Sequence, residues 1–234
     1  MSIERTYYEN GVLESEVFIN NGVMEGQYKS YYNEDIIKPK LFCNYVNGVK
    51  HGEEIEYYDN NQIAHTCNYV NGDLHGTLKR YYSNGNLECE ENYEYNYREG
   101  ASCYYNKNGL LDEIINYIND SMDGYYYKYN NDNQMVILET KCEYYKDEYM
   151  GESLVGDYIN YYPNGQIKDI CIYEDGRKNG EYKQFYDNGK LKAEGNYEHG
   201  NLVGYELRYD IDGNFIEKVF VDDNIDEEEY NEHC

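Results

Sequence analysis

Residues 167–173 read Ile-Lys-Asp-Ile-Cys-Ile-Tyr, and residues 181–186 read Glu-Tyr-Lys-Gln-Phe-Tyr. Between them lies the polar turn Glu-Asp-Gly-Arg-Lys-Asn-Gly (174–180), and Asp-Asn-Gly (187–189) closes the unit. Two short runs carrying apolar and aromatic residues thus alternate with two turn signals, which predicts a pair of strands of about six residues each. The unit recurs. The tyrosine before each glycine-bearing turn falls at Tyr45, Tyr69, Tyr93 and Tyr117, then at Tyr149, Tyr173 and Tyr197, a step of 24 residues except for one step of 32. A fixed period of this size predicts a repeat array.

The turns predict hairpins. Asn-Gly stands at one turn as Asn10-Gly11, Asn84-Gly85, Asn164-Gly165 and Asn188-Gly189, and at the other as Asn21-Gly22, Asn47-Gly48 and Asn71-Gly72. Both residues tolerate the positive φ that a type I′ turn requires at its two central positions. A second glycine follows four residues on, at Gly52, Gly76, Gly180 and Gly204, and is expected to be left-handed where the next strand begins. The two prolines, Pro39 and Pro163, lie in or beside turns, as a sheet demands. No dozen residues keep a 3.6-residue period without a glycine or an Asn cluster, so no helix is expected.

Alternation assigns faces. The pairs Tyr31-Tyr32, Tyr57-Tyr58, Tyr81-Tyr82, Tyr104-Tyr105 and Tyr161-Tyr162, with Phe185-Tyr186 as a variant, put one ring on each face. The expectation is an all-β fold, an elongated single-layer antiparallel sheet of stacked β-hairpin repeats, half wet on both sides. Hydroxyls should stay hydrated, and rings at the same repeat position should stack in ladders.

Units such as Tyr45-Val-Asn-Gly-Val-Lys-His-Gly52 and Tyr-Tyr-Pro-Asn-Gly-Gln-Ile (161–167) resemble MORN (membrane occupation and recognition nexus) repeats, in particular the longer, antitoxin-like variant. The resemblance runs over residues 7–220, in about eight to nine units. It implies stacked hairpins in one twisted antiparallel sheet. The chain departs from the family where turns lack lysine (Asp73-Leu74-His75, Ser121-Met122-Asp123, Ser153-Leu154-Val155) and where Asn33-Glu34-Asp35 and Asn131-Asp132-Asn133 replace Asn-Gly. The organisation read from this is a repeat array over 1–221, with about eight residues inserted near 139–148, and an acidic C-terminal tail over 222–234. Two strands per unit advance the sheet about 9.6 Å per repeat, or on the order of 80 Å in all.

Composition then narrows the partners. Twenty Lys and Arg against 46 Asp and Glu give a net charge of −26. Nucleic acid is excluded as a partner, because phosphate contacts need a basic surface. The same charge opposes the anionic-membrane binding that the family name implies, since the longest basic runs are Lys79-Arg80 and Arg177-Lys178. A basic protein fits best. The leading reading is therefore a non-catalytic scaffold for protein–protein interaction. The alternatives are neutralisation of a basic toxin, which the resemblance suggests, a phospholipid-associated repeat protein, and self-association through exposed strand edges.

Candidate chemistry is sparse. Cys43, Cys67 and Cys171 share a repeat position with Gly195, which calls for a small buried side chain. Cys43 and Cys67 would stand about 9.6 Å apart, too far for a disulfide, and free thiols point to a reducing, cytoplasmic compartment. The first residues lack an apolar core, and no stretch of 18 apolar residues occurs, so neither a signal peptide nor a membrane span is expected. His51 and His75 occupy equivalent turn positions one repeat apart and cannot share an ion. Asp210-Ile-Asp212-Gly213 has part of a calcium-loop pattern but carries Arg208 where another acid belongs, and reads as a turn. The expectation is no catalytic residue, no cofactor-binding residue, no metal ligand and no cofactor.

Overall fold

The computed structural model describes residues 2–131, 137–147 and 151–221. Within them every regular element is a strand, and every strand pairing is antiparallel. The segment 222–234, read as an acidic tail, lies outside the described residues. The chain divides after Ser121 into two compact units. The first holds β1 (Ser2–Tyr7), β2 (Leu13–Asn20), β3 (Val23–Tyr31), β4 (Pro39–Val46), β5 (Val49–Lys50), β6 (Gly52–Tyr57), β7 (Ile63–Val70), β8 (Asp73–Leu74), β9 (Gly76–Tyr81), β10 (Leu87–Glu94), β11 (Tyr97–Arg98), β12 (Gly100–Tyr105) and β13 (Leu111–Ile118). The second holds β14 (Ser121–Asn130), β15 (Ile137–Asp147), β16 (Gly151–Tyr161), β17 (Ile167–Glu174), β18 (Arg177–Phe185), β19 (Leu191–Glu198), β20 (Asn201–Tyr209) and β21 (Phe215–Val221). Each unit is a run of successive hairpins, as the 24-residue pattern requires.

Register follows the glycines. Gly52 faces Tyr69, Gly76 faces Tyr93, Gly100 faces Tyr117 and Gly180 faces Tyr197. All four glycines have positive φ, so the expected left-handed entry to these strands is present. In the irregular stretch the register differs from the spacing argument. Gly124 faces Tyr144, and Tyr149 lies outside the described residues. The next glycine, Gly156, faces Tyr173. A regular hairpin separates glycine from tyrosine by 17 residues (Gly52 to Tyr69), whereas Gly124 and Tyr144 are 20 apart. The turn from tyrosine to the next glycine takes 7 residues from Tyr69 to Gly76 but 12 from Tyr144 to Gly156. The additional residues are therefore shared between two successive hairpins, three in one and five in the other.

The two turns differ in type. At the second turn both central residues have positive φ, as in Asn47-Gly48 (51° and 81°) and Asn71-Gly72 (53° and 95°), which is the type I′ signature. At the first turn only the glycine does. Gly85 donates to the Tyr82 carbonyl at 2.8 Å, and Tyr82 N–H to the Asn86 carbonyl at 2.8 Å. This is a three-residue loop closed by a left-handed residue, and the expected type I′ geometry is replaced there. The asparagine is free to do something else. Asn84 Oδ1 accepts from Asn86 N–H at 3.0 Å while Asn84 Nδ2 donates to the Lys107 carbonyl of the next repeat at 2.8 Å.

The faces are not equally wet. In each unit the buried side chains lie on one face: Val17, Cys43, Glu54, Cys67, Leu78, Glu91, Ser102 and Tyr117 in the first, Thr140, Cys142, Cys171, Tyr182 and Ala193 in the second. The register joins them laterally, as in Glu54 opposite Cys67, Leu78 opposite Glu91, and Cys171 opposite Tyr182. The other face is half-buried to exposed. Small thiols sit where tyrosines from the next strand lean in, so a one-sheet protein gains a thin dry layer with few aliphatic residues.

Many hydroxyls on this array donate to backbone carbonyls of the protein itself. Tyr32 Oη donates to the Tyr57 carbonyl (2.6 Å), Tyr58 to Tyr81 (2.6 Å), Tyr82 to Tyr105 (2.8 Å), Tyr162 to Phe185 (2.8 Å) and Tyr186 to Tyr209 (3.0 Å). Each such latch joins one repeat to the following one and is worth about 1 kcal/mol. At the position after Tyr105 stands Asn106, whose Oδ1 caps its own turn, so the pair Tyr104-Tyr105 stands one residue out of step with Tyr81-Tyr82. Rings meet edge-on between different repeat positions, as in Tyr28 and Tyr45 (6.1 Å, 73°) and Tyr182 and Tyr197 (5.1 Å, 63°), in place of same-position ladders.

Candidate functional site

The densest chemistry on the dry face lies on β6 and β7. His65 and Cys67 are two apart on β7 and project to one side, and Glu54 stands opposite Cys67 on β6. Glu54 Oε1 lies 3.4 Å from His65 Nε2 and 3.9 Å from Cys67 Sγ. The other imidazole nitrogen, Nδ1, is 3.0 Å from Glu56 Oε2. The Lys50 ammonium pairs with Glu54 Oε2 and lies 4.8 Å from the centre of the Tyr69 ring. Glu54 and Cys67 are buried, and His65 is partly exposed.

Charge is balanced inside this cluster. Burial by itself would raise the Glu54 carboxyl, but hydrogen bonds from His65 and Lys50 outweigh it and hold it below its ordinary value. His65 is raised to about 9 by hydrogen bonding to Cys67 and then Glu54, against the opposing effect of burial. Burial, with the nearby Glu54 charge, pushes the Cys43 thiol up to about 11. A second buried acid, Glu91, accepts from Tyr104 Oη at 2.8 Å and Tyr93 Oη at 3.2 Å, with Arg80 at 3.7 Å. Burial and then Glu91 raise Tyr93 to about 12.

The residues weighed from sequence stand elsewhere. His51 Nδ1 accepts from Asn71 N–H at 3.3 Å, a turn-capping role, and the His75 ring packs on Tyr95 at 5.4 Å. Asp210 accepts the backbone N–H groups of Asp212 (2.9 Å) and Asn214 (2.8 Å), which makes it the cap of its own turn. Cys43, Cys67 and Cys171 are buried as their shared position requires, and Cys89 and Cys142 join them. Glu54, His65 and Cys67 were not apparent as a group, because linear spacings such as Cys-x-x-Cys do not detect ligands facing each other across a hairpin. The usable signal was His-x-Cys on one strand, with an acid opposite it across the turn.

Against this geometry, the MORN repeat variant family matches residues 3–21, 50–71, 74–95, 154–175 and 178–199. The matches fall in both units and in step with the hairpins. The chain is a MORN-repeat protein. The candidate cluster of this MORN protein lies within one matched repeat, 50–71. No curated protein matches it. Among solved structures, the TcdB2-TccC3-Cdc42 crystal structure is 10% identical over 88% of this chain with a TM-score of 0.21. The Photorhabdus luminescens Tc holotoxin pore bearing a TccC3 mutation is 13% identical over 91% with a TM-score of 0.20. The MORN chain spans 14% of the length of each.

Proposed function

We propose that this MORN-repeat protein is a non-catalytic scaffold that binds a basic protein partner through its wet face. MORN repeats are consistent with binding to proteins or membranes. One observation carries the choice of surface: the face opposite the dry layer exposes Phe18 and Ile118 in the first unit, and Tyr125, Ile172, Tyr205 and Phe220 in the second. Aromatic and aliphatic side chains displayed among acids are what an interface with a positively charged rim contacts. The charge of −26 steers such a partner and repels anionic bilayers. Among the described residues no helix is long and apolar enough to cross a membrane. The thiols support a reducing, cytoplasmic setting.

The test combines capture from the host lysate at low and then moderate salt with sedimentation against anionic vesicles. A stoichiometric basic protein that salt elutes, and that Tyr205→Ala or Tyr125→Ala weakens, supports the reading. Salt-sensitive vesicle binding with no protein captured would overturn it in favour of a membrane role.

A further inference from the structure

We propose that Glu54, His65 and Cys67 form a binding site for a borderline-soft divalent cation, with Zn²⁺ the best match, that clamps β6 to β7.

Three observations carry it. The first is the ligand triangle: one carboxylate oxygen, one imidazole nitrogen and one sulfur all lie within 4.8 Å of one another. Zinc bonds of about 2.0–2.3 Å in a tetrahedron place ligand atoms about 3.3–3.8 Å apart. The Glu54–His65 separation of 3.4 Å and the Glu54–Cys67 separation of 3.9 Å are already close to those edges. The third pair, His65 and Cys67, lies within 4.8 Å on one strand, so rotation of these two side chains closes the remaining edge.

The second is the imidazole's far side. Glu56 Oε2 lies 3.0 Å from His65 Nδ1, so a carboxylate holds the Nδ1 proton and directs Nε2 into the cluster. Metal-ligating histidines almost always donate their other ring N–H to a carboxylate, a backbone carbonyl or a water, and Glu56 supplies the first of these. Glu56 is the residue directly opposite His65 on the paired strand, so the register itself holds the carboxylate against Nδ1.

The third is the donor set. Sulfur, nitrogen and oxygen together favour zinc over magnesium or calcium, which take oxygen ligands alone. Three protein ligands leave one position for water. Lys50 now supplies the positive charge at Glu54 Oε2, and its side chain is about one-third exposed (31%), so it can swing outward as the ion enters. Binding releases the Cys67 thiol proton and the proton on His65 Nε2 to solvent.

The experiment is titration of the full chain, freed of metal by chelator, with Co²⁺ and then Zn²⁺. The expected result is a thiolate-to-cobalt charge-transfer band saturating at one equivalent, displaced by Zn²⁺, with a higher melting temperature in the zinc form. Cys67→Ser should abolish the band, and His65→Gln should weaken affinity at least tenfold. Lys50→Met should strengthen it by removing the competing ammonium. Cys171→Ser, at the same repeat position without the His and Glu partners, should leave the band unchanged. Absence of the band, or its equal loss in Cys171→Ser, would overturn the proposal, as would affinity unaffected by both His65→Gln and Lys50→Met. The Lys50 variant retains all three ligands and reports even if Cys67→Ser folds poorly.

Discussion

Tyr58 Oη donates a 2.6 Å hydrogen bond to the backbone carbonyl of Tyr81, the aromatic residue that closes the following repeat. The bond recurs, at 2.6 to 3.0 Å, at five other described positions: Tyr8, Tyr32, Tyr82, Tyr162 and Tyr186. Tyr58→Phe keeps the ring and removes only this bond, so unfolding free energy should drop by about 1 kcal/mol. Tyr97, whose ring is exposed, is the control, and Tyr97→Phe should stay within about 0.5 kcal/mol of the parent in the same urea titration.

Three glycines separate backbone strain from crowding. Gly165 and Gly189 have φ of +81° and +80°. A Cβ on Gly165 meets open space, and one on Gly189 would approach Gln166 Oε1 at 2.7 Å. That oxygen ends a flexible side chain, so Gly165→Ala and Gly189→Ala should cost the same, about 1–2 kcal/mol each. Gly195 does not have positive φ, but its Cβ would meet the buried Tyr182 ring at 2.8 Å. Gly195→Ala should cost about 1–3 kcal/mol through overpacking alone. Thermal melts of the three variants decide it.

The buried Glu91 depends on its phenol donors. Tyr104→Phe removes the 2.8 Å bond and leaves a buried carboxylate poorly satisfied, at a cost of about 1–3 kcal/mol. Adding Glu91→Cys, the residue type found at the same repeat position in the two preceding units (Cys43 and Cys67), should recover part of that loss. A double-mutant cycle in urea should show coupling of at least about 0.5 kcal/mol; additive effects would refute the linkage.

Thiol reactivity should be ordered by burial. Cys103 is half-buried, whereas burial pushes Cys43, Cys89 and Cys142 up to about 11. Among the described thiols, iodoacetamide at pH 8 should label Cys103 first. The three buried thiols should label slowly, at rates rising about tenfold per pH unit toward 11 while the fold persists. Peptide mapping at pH 7, 8 and 9 measures this.

At the turn after β13, Asp120 accepts Arg98 N–H at 2.8 Å and Arg98 Nε at 3.1 Å. The backbone bond, then the side-chain bond, holds its carboxyl below the ordinary value. A depressed acid contributes stability above its unfolded pKa of about 3.9, and that contribution fades as pH falls through the lower folded value. A carboxyl NMR titration should place Asp120 below the ordinary aspartate value. Asp120→Asn should flatten the acid limb of the stability curve.

The hairpins, the left-handed glycines and the absence of helix were legible, because period, Asn-Gly and β-branched or aromatic content are local signals. The type of the first turn was not. Whether Asn84 takes positive φ or lets Gly85 do so depends on the carbonyl of Lys107, one repeat away. Tyr149 matched the period, but pairing decides register, and Gly124 selects Tyr144. The wetness of the two faces was misjudged because the tyrosine pairs advertise both sides equally. The buried column of Cys43, Glu54, Cys67 and Leu78 mixes thiol, acid and aliphatic side chains, so hydrophobicity cannot pick out the dry side.

The latches also bear on how fast the protein forms. Tyr58 and Tyr81 are only 23 residues apart, and the other latches described above have spans of 23 to 25. All-β domains usually fold slowly because distant segments must find one another, and rates fall as contacting residues lie farther apart in sequence. Here a strand needs only its neighbours, so folding can nucleate at any hairpin and propagate in either direction. On the ribosome a repeat can close as soon as the next one has emerged, without waiting for the remainder of the chain.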